Sequence, residues 1–145
     1  MGLDCLRGPA AALALLWLPA AAHATDVKVR VFGVDGRGGS IRATVCSQAN
    51  FLKPHCRYSA RAPAGAGGTV VVRIPGVPPG TYAVQVFHDV RDNGEVARNL
   101  FGVPTEGVGF SRDAPIHFAP PRFADAQIAV SGALVTTDIN LKFEP

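Results

Sequence analysis

The sequence predicts an all-β fold in which two antiparallel sheets pack face to face as a β-sandwich. Apolar residues recur at every second position over most of the chain, as in Val27, Val29, Val31 and in Val135, Thr137, Ile139, Leu141, Phe143. After the N-terminal leader no stretch holds apolar residues at helical spacing, and turn clusters such as Pro75-Gly76-Val77-Pro78-Pro79-Gly80 end the runs. Roughly six or seven short strands with one polar face each need two layers, because a lone sheet would leave its apolar side in water.

The chain opens with one early basic residue, Arg7, and an apolar run from Ala10 to Ala22. Ala22-His23-Ala24 is a small-x-small cleavage pattern, so residues 1–24 read as a secretory signal and 25–145 as a single domain. The apolar run is shorter than the ~20 residues that span a bilayer, so no membrane span is expected once the signal is cleaved. Cys5 precedes the run and leaves with it. Export implies a periplasmic or secreted protein.

The strands follow in order. Val27, Val29 and Val31 alternate with Lys28 and Arg30, and a turn at Gly33 to Gly39 leads to Ile41, Ala43 and Val45, ending at Cys46. Ser47 to Gly68 reads as a loop pinned near its start by a Cys46–Cys56 disulfide, which an oxidising compartment preserves. The pair lacks the C-x-x-C spacing of a redox or metal-binding thiol site. Val70, Val72 and Ile74 form the next inward face. After the proline-glycine cluster, Tyr82, Val84, Val86 and His88 share one side, with Ala83, Gln85 and Phe87 on the other. Ala126, Ile128 and Val130 begin a further strand, Ser131-Gly132-Ala133 makes a turn, and the last run from Val135 to Phe143 closes the domain. Pro78-Pro79-Gly80-Thr81-Tyr82-Ala83-Val84 resembles the turn and strand that open transthyretin-like domains, one variety of such sandwiches beside the immunoglobulin-like one.

Net charge is +3. Arg30, Arg42 and Arg73 fall at outward positions of separate strands, and Arg91, Arg98, Arg112 and Arg122 are scattered. Nucleic-acid binders cluster such residues, and export also argues against that partner.

One region breaks the pattern. Between His88 and Phe123 lie roughly 35 residues without alternation, well beyond the length at which structureless loops become uncommon. This insert, residues 89–123, is expected to be ordered, an Ω-like flap with a polar rim. Asp89, Arg91, Asn93 and Gly94 occupy the positions of a D-x-[DN]-x-[DN]-G calcium loop, which needs oxygens at alternate residues and glycine at the sharp turn. Arg91 in the third position and Ala97 in the ninth leave too few oxygens for calcium, so no metal is expected. Either the Arg91 guanidinium replaces the ion among Asp89, Asp92 and Glu95, or Asp92-Asn93-Gly94 is an exposed turn with Arg91 in solvent. Gly94, Gly102, Gly107 and Gly109 permit positive φ or close backbone approach and organise the loop with Arg91.

His88-Asp89 with Asn93-Gly94, the run from Asn99 through Gly102-Val103-Pro104-Thr105-Glu106-Gly107-Val108-Gly109 to Ser111, and Phe123-Ala124-Asp125-Ala126 together resemble the bacterial domain of unknown function 2141. The family's insert reads H-D-x-N-x-N-G-x-x-D, and this chain departs from it at Arg91 and Ala97. The resemblance implies an exported β-sandwich and supplies no catalytic residues.

Enzymatic sets are not assembled by the sequence. Ser111, His88 and Asp89 have the residue types of a triad, but no nucleophile elbow is present and adjacent strand residues point apart. Asp89 or Glu95 with Glu106 offers a carboxylate pair, with no aromatic platform around it. The reading is therefore a non-enzymatic binding or interaction module with no cofactor and an unidentified envelope or extracellular partner. The expected binding rim is His88, Asp89, Asp92, Asn93, Glu95, Asn99 and Glu106. A structural envelope protein with a fold-stabilising insert is the alternative, followed by a calcium-binding module or a hydrolase.

Overall fold

The computed structural model describes residue 19 and residues 21–143, so most of the expected signal lies outside the described residues. Ten-residue β1 (Thr25–Val34) is followed by β2 (Ser40–Cys46), β3 (Tyr58–Pro63), β4 (Gly68–Val77) and β5 (Gly80–Asp89). After a long excursion come β6 (Val108–Phe110), a 3-10 turn at Ser111–Asp113, α1 (Phe123–Ala126), β7 (Gln127–Val130) and β8 (Leu134–Asn140). One sheet has the order β4-β1-β8; the other runs β3-β2-β5-β6, with β7 also on β5. This is the expected sandwich of two mainly antiparallel sheets.

Three details differ from the sequence reading. Two strands lie in segments read as irregular: β3 in the loop after Cys46, and β6 inside the insert. Tyr58-Ser59-Ala60-Arg61-Ala62-Pro63 carries small residues on its inner side, so its alternation is faint, and its place is set by full pairing with β2. Second, β1 and β8 pair in parallel, from Asp26 opposite Leu134 to Phe32 opposite Asn140, so the pairing is not wholly antiparallel. The last strand enters beside the first after crossing the molecule. Third, Phe143 lies beyond the end of β8 and is 43% exposed instead of inward-facing.

The core lies between the layers. Val27, Val29 and Val31 from β1 meet Ile41, Val45 and Val84 from the second sheet, all within 1% of complete burial. Each such side chain contributes about 1.5–3 kcal/mol on leaving water. Valine and isoleucine suit these positions because branching at Cβ fits the pleat. A smaller cluster sits on the outer side of β5, where Ala83, Ala114 and Ala126 pack with Phe51, Phe110 and Phe123. The Phe51 ring meets Phe110 and Phe123 edge-on, each at 5.8 Å between centroids. Cys46 and Cys56 form the expected disulfide, with Cα atoms 5.2 Å apart, and so anchor the Phe51 loop to the end of β2.

β6 links the layers along one side. It pairs with β5, and Val108 also exchanges two backbone hydrogen bonds with Lys142, at 2.9 and 2.8 Å. Glycine is required here: a Cβ on Gly109 would stand 2.5 Å from the Ile139 side chain and 2.9 Å from the Asn140 carbonyl oxygen. Among the described residues no helix is long and apolar enough to cross a membrane.

Candidate functional site

Alternation at the end of β5 sends His88 into the core and Asp89 to the outer face, and both are fully buried. The His88 Nε2 donates to the Gly38 carbonyl at 2.6 Å; a carbonyl only accepts, so this nitrogen carries the proton. Its Nδ1 has no hydrogen-bond partner and lies 3.4 Å from Asp35 Oδ1. Burial would raise the Asp35 pKa, yet the carboxyl is held below its ordinary value by the Arg37 backbone N–H and guanidinium and by the neighbouring imidazole.

Asp89 is the organising centre of the segment that follows. Its Oδ2 accepts from Arg42 Nε at 2.6 Å and from the Gly94 N–H at 2.8 Å, and its Oδ1 accepts from the Asn93 N–H at 3.1 Å. Burial pushes the Asp89 pKa up, but the Gly94 hydrogen bond, the Arg42 hydrogen bond and charge, and the Asn93 hydrogen bond together bring it below the usual carboxylate range. Glu106, also buried, accepts from the Val90 N–H at 3.2 Å and from the Ala97 N–H at 3.0 Å. Two inward carboxylates thus hold residues 90–97 through backbone donors.

A cation does complete this loop, but it is Arg42 of β2 and not Arg91. Arg91 is exposed and makes no ion pair among the described residues. Arg42 reaches Asp89 diagonally across the β2–β5 ladder, where Arg42 stands opposite Phe87 and Asp89 opposite Ser40. A position read along one loop is filled from a neighbouring strand.

The expected polar rim therefore divides. His88, Asp89 and Glu106 are buried and occupied internally. The Asn93 side chain accepts from the Glu95 N–H, and that of Asn99 from the Phe101 and Val103 N–H groups, which fixes local turns. Asp92 and Glu95 alone face solvent without such work. Gly94 and Gly102 take left-handed φ of +79° and +77°, while Gly109 lies too close to the β8 backbone to carry a Cβ and one on Gly107 would displace the Phe143 ring. Among the described residues no group of three or more histidine, cysteine or acidic side chains is placed to hold a metal ion.

A concavity lies beside this loop, over the outer face of the five-stranded sheet. It is an open groove of about 1130 Å³ whose floor includes Arg42, Thr44, Arg61, Gln85 and Phe87. One wall is the disulfide-closed loop at Leu52 to Cys56, another is the segment Gly94 to Pro104, and a third is the stretch Ile116 to Pro120. Leu52 is set by its N–H donating to Gln85 Oε1 at 3.1 Å. Four basic side chains line it, Arg42, Lys53, Arg61 and Arg98, against one acid, Glu95.

Arg42 and Arg61 stand directly opposite each other on adjacent strands. Like charges in that register repel unless countered. Asp89 answers Arg42; Arg61 has no ion pair among the described residues. Of the expected binding rim only Glu95 borders this groove, beside the loop-organising Gly94 and Gly102 and the disulfide's Cys56. Sequence reading missed it because its walls come from three segments far apart along the chain, although the exposed aromatics Phe101 and Phe118 inside polar stretches were a visible signal.

Over residues 29–138 the chain matches the family model described as an uncharacterized protein conserved in bacteria, domain of unknown function 2141, and it belongs to that family. No curated protein and no solved structure matches the chain.

Proposed function

We propose that this family member is an exported, non-enzymatic binding module that takes an anionic amphiphile into the groove on the five-stranded sheet. The observation that carries the reading is the Arg42–Arg61 cross-strand pair, two guanidinium groups in the groove floor with one carboxylate, that of Asp89 on Arg42, to balance them. An anionic ligand would supply the missing countercharge, and Leu52, Phe87, Val103 and Phe118 would cover its apolar part. Export rests on the leader pattern in residues 1–24 and agrees with the Cys46–Cys56 bridge.

Binding is favoured over catalysis because the candidate reactive groups are engaged in backbone contacts. The buried Ser111 hydroxyl donates to the Ala126 carbonyl and accepts from the Val84 N–H, and Asp89 and Glu106 receive the loop donors described above. The inward-turned polar groups also favour a second reading in part: the segment 89–106 is itself structural, and the groove beside it is the site.

Decanoate, titrated below its micellar concentration against the uncharged decanol, tests this. Backbone amide resonances of Thr44, Arg61 and Gln85 should shift saturably with decanoate, and Arg61→Glu should weaken binding about tenfold while circular dichroism stays unchanged. Equal response of wild type and variant, or shifts scattered over both sheets, would reject the groove.

A further inference from the structure

Two segments bordering the groove end in apolar side chains that no described residue covers. Leu100 is 101% exposed and Phe101 89%, at the tip of one; Phe118 is 111% exposed, at the tip of the other. The first is not a slack loop. Arg98 and Pro104 form an antiparallel bridge, the Asn99 N–H donates to the Val103 carbonyl at 2.9 Å, and the Gly102 N–H donates to the Asn99 carbonyl at 3.0 Å.

Asn99-Leu100-Phe101-Gly102 is therefore a tight turn with leucine and phenylalanine at its two central positions, where turn chemistry favours proline, glycine and small polar residues. Nothing in the turn calls for Leu100 or Phe101. Phe118 holds a φ of +56°, in the left-handed region that an aromatic residue rarely adopts, while giving its ring entirely to solvent. A strained backbone that exposes an apolar group points to a use outside the folded domain.

We infer that these two tips are prongs that insert into the surface of an anionic phospholipid bilayer, with Leu100, Phe101 and Phe118 among the acyl chains and basic side chains at the headgroups. Arg98 sits on the first prong and Arg112 shortly before the second, both exposed, and Lys53 lines the groove between the walls. Peripheral binding needs both contributions, apolar burial and attraction of lysine or arginine to acidic lipid, and here they occur together. A fluid lipid surface suits apolar tips on separate segments flanking an open groove. A rigid protein partner or second copy would instead be expected to meet a contiguous apolar patch. The inference goes beyond the groove reading, since Leu100 lies outside the groove lining and the Phe101 and Phe118 rings project to solvent from the groove's walls and not from its floor.

A residue-specific probe separates prong insertion from any pull of the apolar leader. In a Trp17→Phe background, Phe101→Trp provides a single tryptophan at the first tip. Its emission should move to shorter wavelength with vesicles of phosphatidylcholine containing phosphatidylglycerol and stay put with phosphatidylcholine alone. The paired change Phe101→Ser with Phe118→Ser, in the otherwise native chain, should weaken binding to the acidic vesicles about tenfold, and Leu100→Asn, at a side chain outside the groove lining, should weaken it severalfold while leaving the decanoate titration of the groove unchanged. Unchanged emission at position 101 with acidic vesicles would overturn the inference, as would equal vesicle binding by the serine variant. Burial of the tips in a dimer seen by sedimentation, abolished by the same variant, would assign them to a second copy and overturn it too.

Discussion

The outer faces of the two sheets carry cross-strand arginine–aspartate pairs, and one on each sheet has circumstances opposite to the other's. On the three-stranded sheet Arg30 and Asp138 lie directly opposite, joined by two hydrogen bonds of 2.6 and 2.5 Å, with about 45% of each side chain exposed. On the five-stranded sheet the Arg42–Asp89 contact is also 2.6 Å, but the aspartate side chain is fully buried and the arginine side chain 26% exposed. The first pair decorates a strand ladder that its backbone already defines. The second is a structural centre, because the same carboxylate also fixes the Asn93 and Gly94 amides of a loop with no ladder of its own. What differs is coverage. A loop laid over Asp89 removes water and leaves the carboxylate as the partner of the Asn93 and Gly94 donors beneath it.

Asp89→Asn should be the most damaging test of that contrast. The change leaves Arg42 without its buried counter-ion and turns an amide donor toward donors, so a loss of about 3 kcal/mol is expected in urea denaturation at neutral pH. The pH dependence has a definite sign. The folded pKa of Asp89 lies below its unfolded value near ~3.9, so its contribution is complete above that pH and fades as pH falls through the lower folded value. The stability gap between wild type and Asp89→Asn should accordingly narrow below about pH 4. A gap constant down to pH 2 would mean that the carboxylate charge is not what the loop relies on.

Reducing the Cys46–Cys56 bridge should come next, at roughly 2 kcal/mol, because it frees a closed loop of about ten residues in the unfolded chain. Its structural consequence is local to the groove. Leu52 and Lys53 lose one of their two anchors, while Phe51 keeps its edge-on contacts with Phe110 and Phe123. Decanoate binding should weaken severalfold with both sheets intact, which hydrogen exchange on β2 and β5 would report.

These differences also explain how far the sequence could be read. Alternation at Val27, Val29 and Val31 or at Thr137 and Ile139 is a local signal of a half-buried strand, and it located most of the strands and the two-layer body. β3 escaped because Ala60 and Ala62 give little contrast with Ser59 and Arg61, and its register is dictated by β2. The importance of Asp89, Glu106 and the insert glycines was visible in their spacing. Their direction was not, since whether a carboxylate faces water or its own loop depends on partners such as Arg42, 47 residues away. The groove has no local signature beyond the aromatic Phe101 and Phe118 in polar stretches, being the space left between three segments that only the folded sheet brings together.

Arg30→Gln on the exposed pair should leave the melting temperature within measurement scatter, since water and salt replace most of what the guanidinium supplies. A drop approaching that of Asp89→Asn would erase the distinction between the two faces.

Calcium should have the least effect of all, despite the Asp89-x-Arg91-x-Asn93-Gly94 pattern. Both Asp89 oxygens already accept hydrogen bonds, one of them from Arg42, and the Asn93 side-chain oxygen accepts from Glu95. To bind at this loop the ion would have to displace a fixed guanidinium and release two backbone amides into a covered site, while Arg91 and Ala97 return no oxygens in exchange. Wild-type melting temperature should therefore be the same in millimolar calcium and in chelator. A rise of several degrees would show that Asp89 gives up Arg42 for a metal, and the loop would then be held from outside the chain instead of from the neighbouring strand.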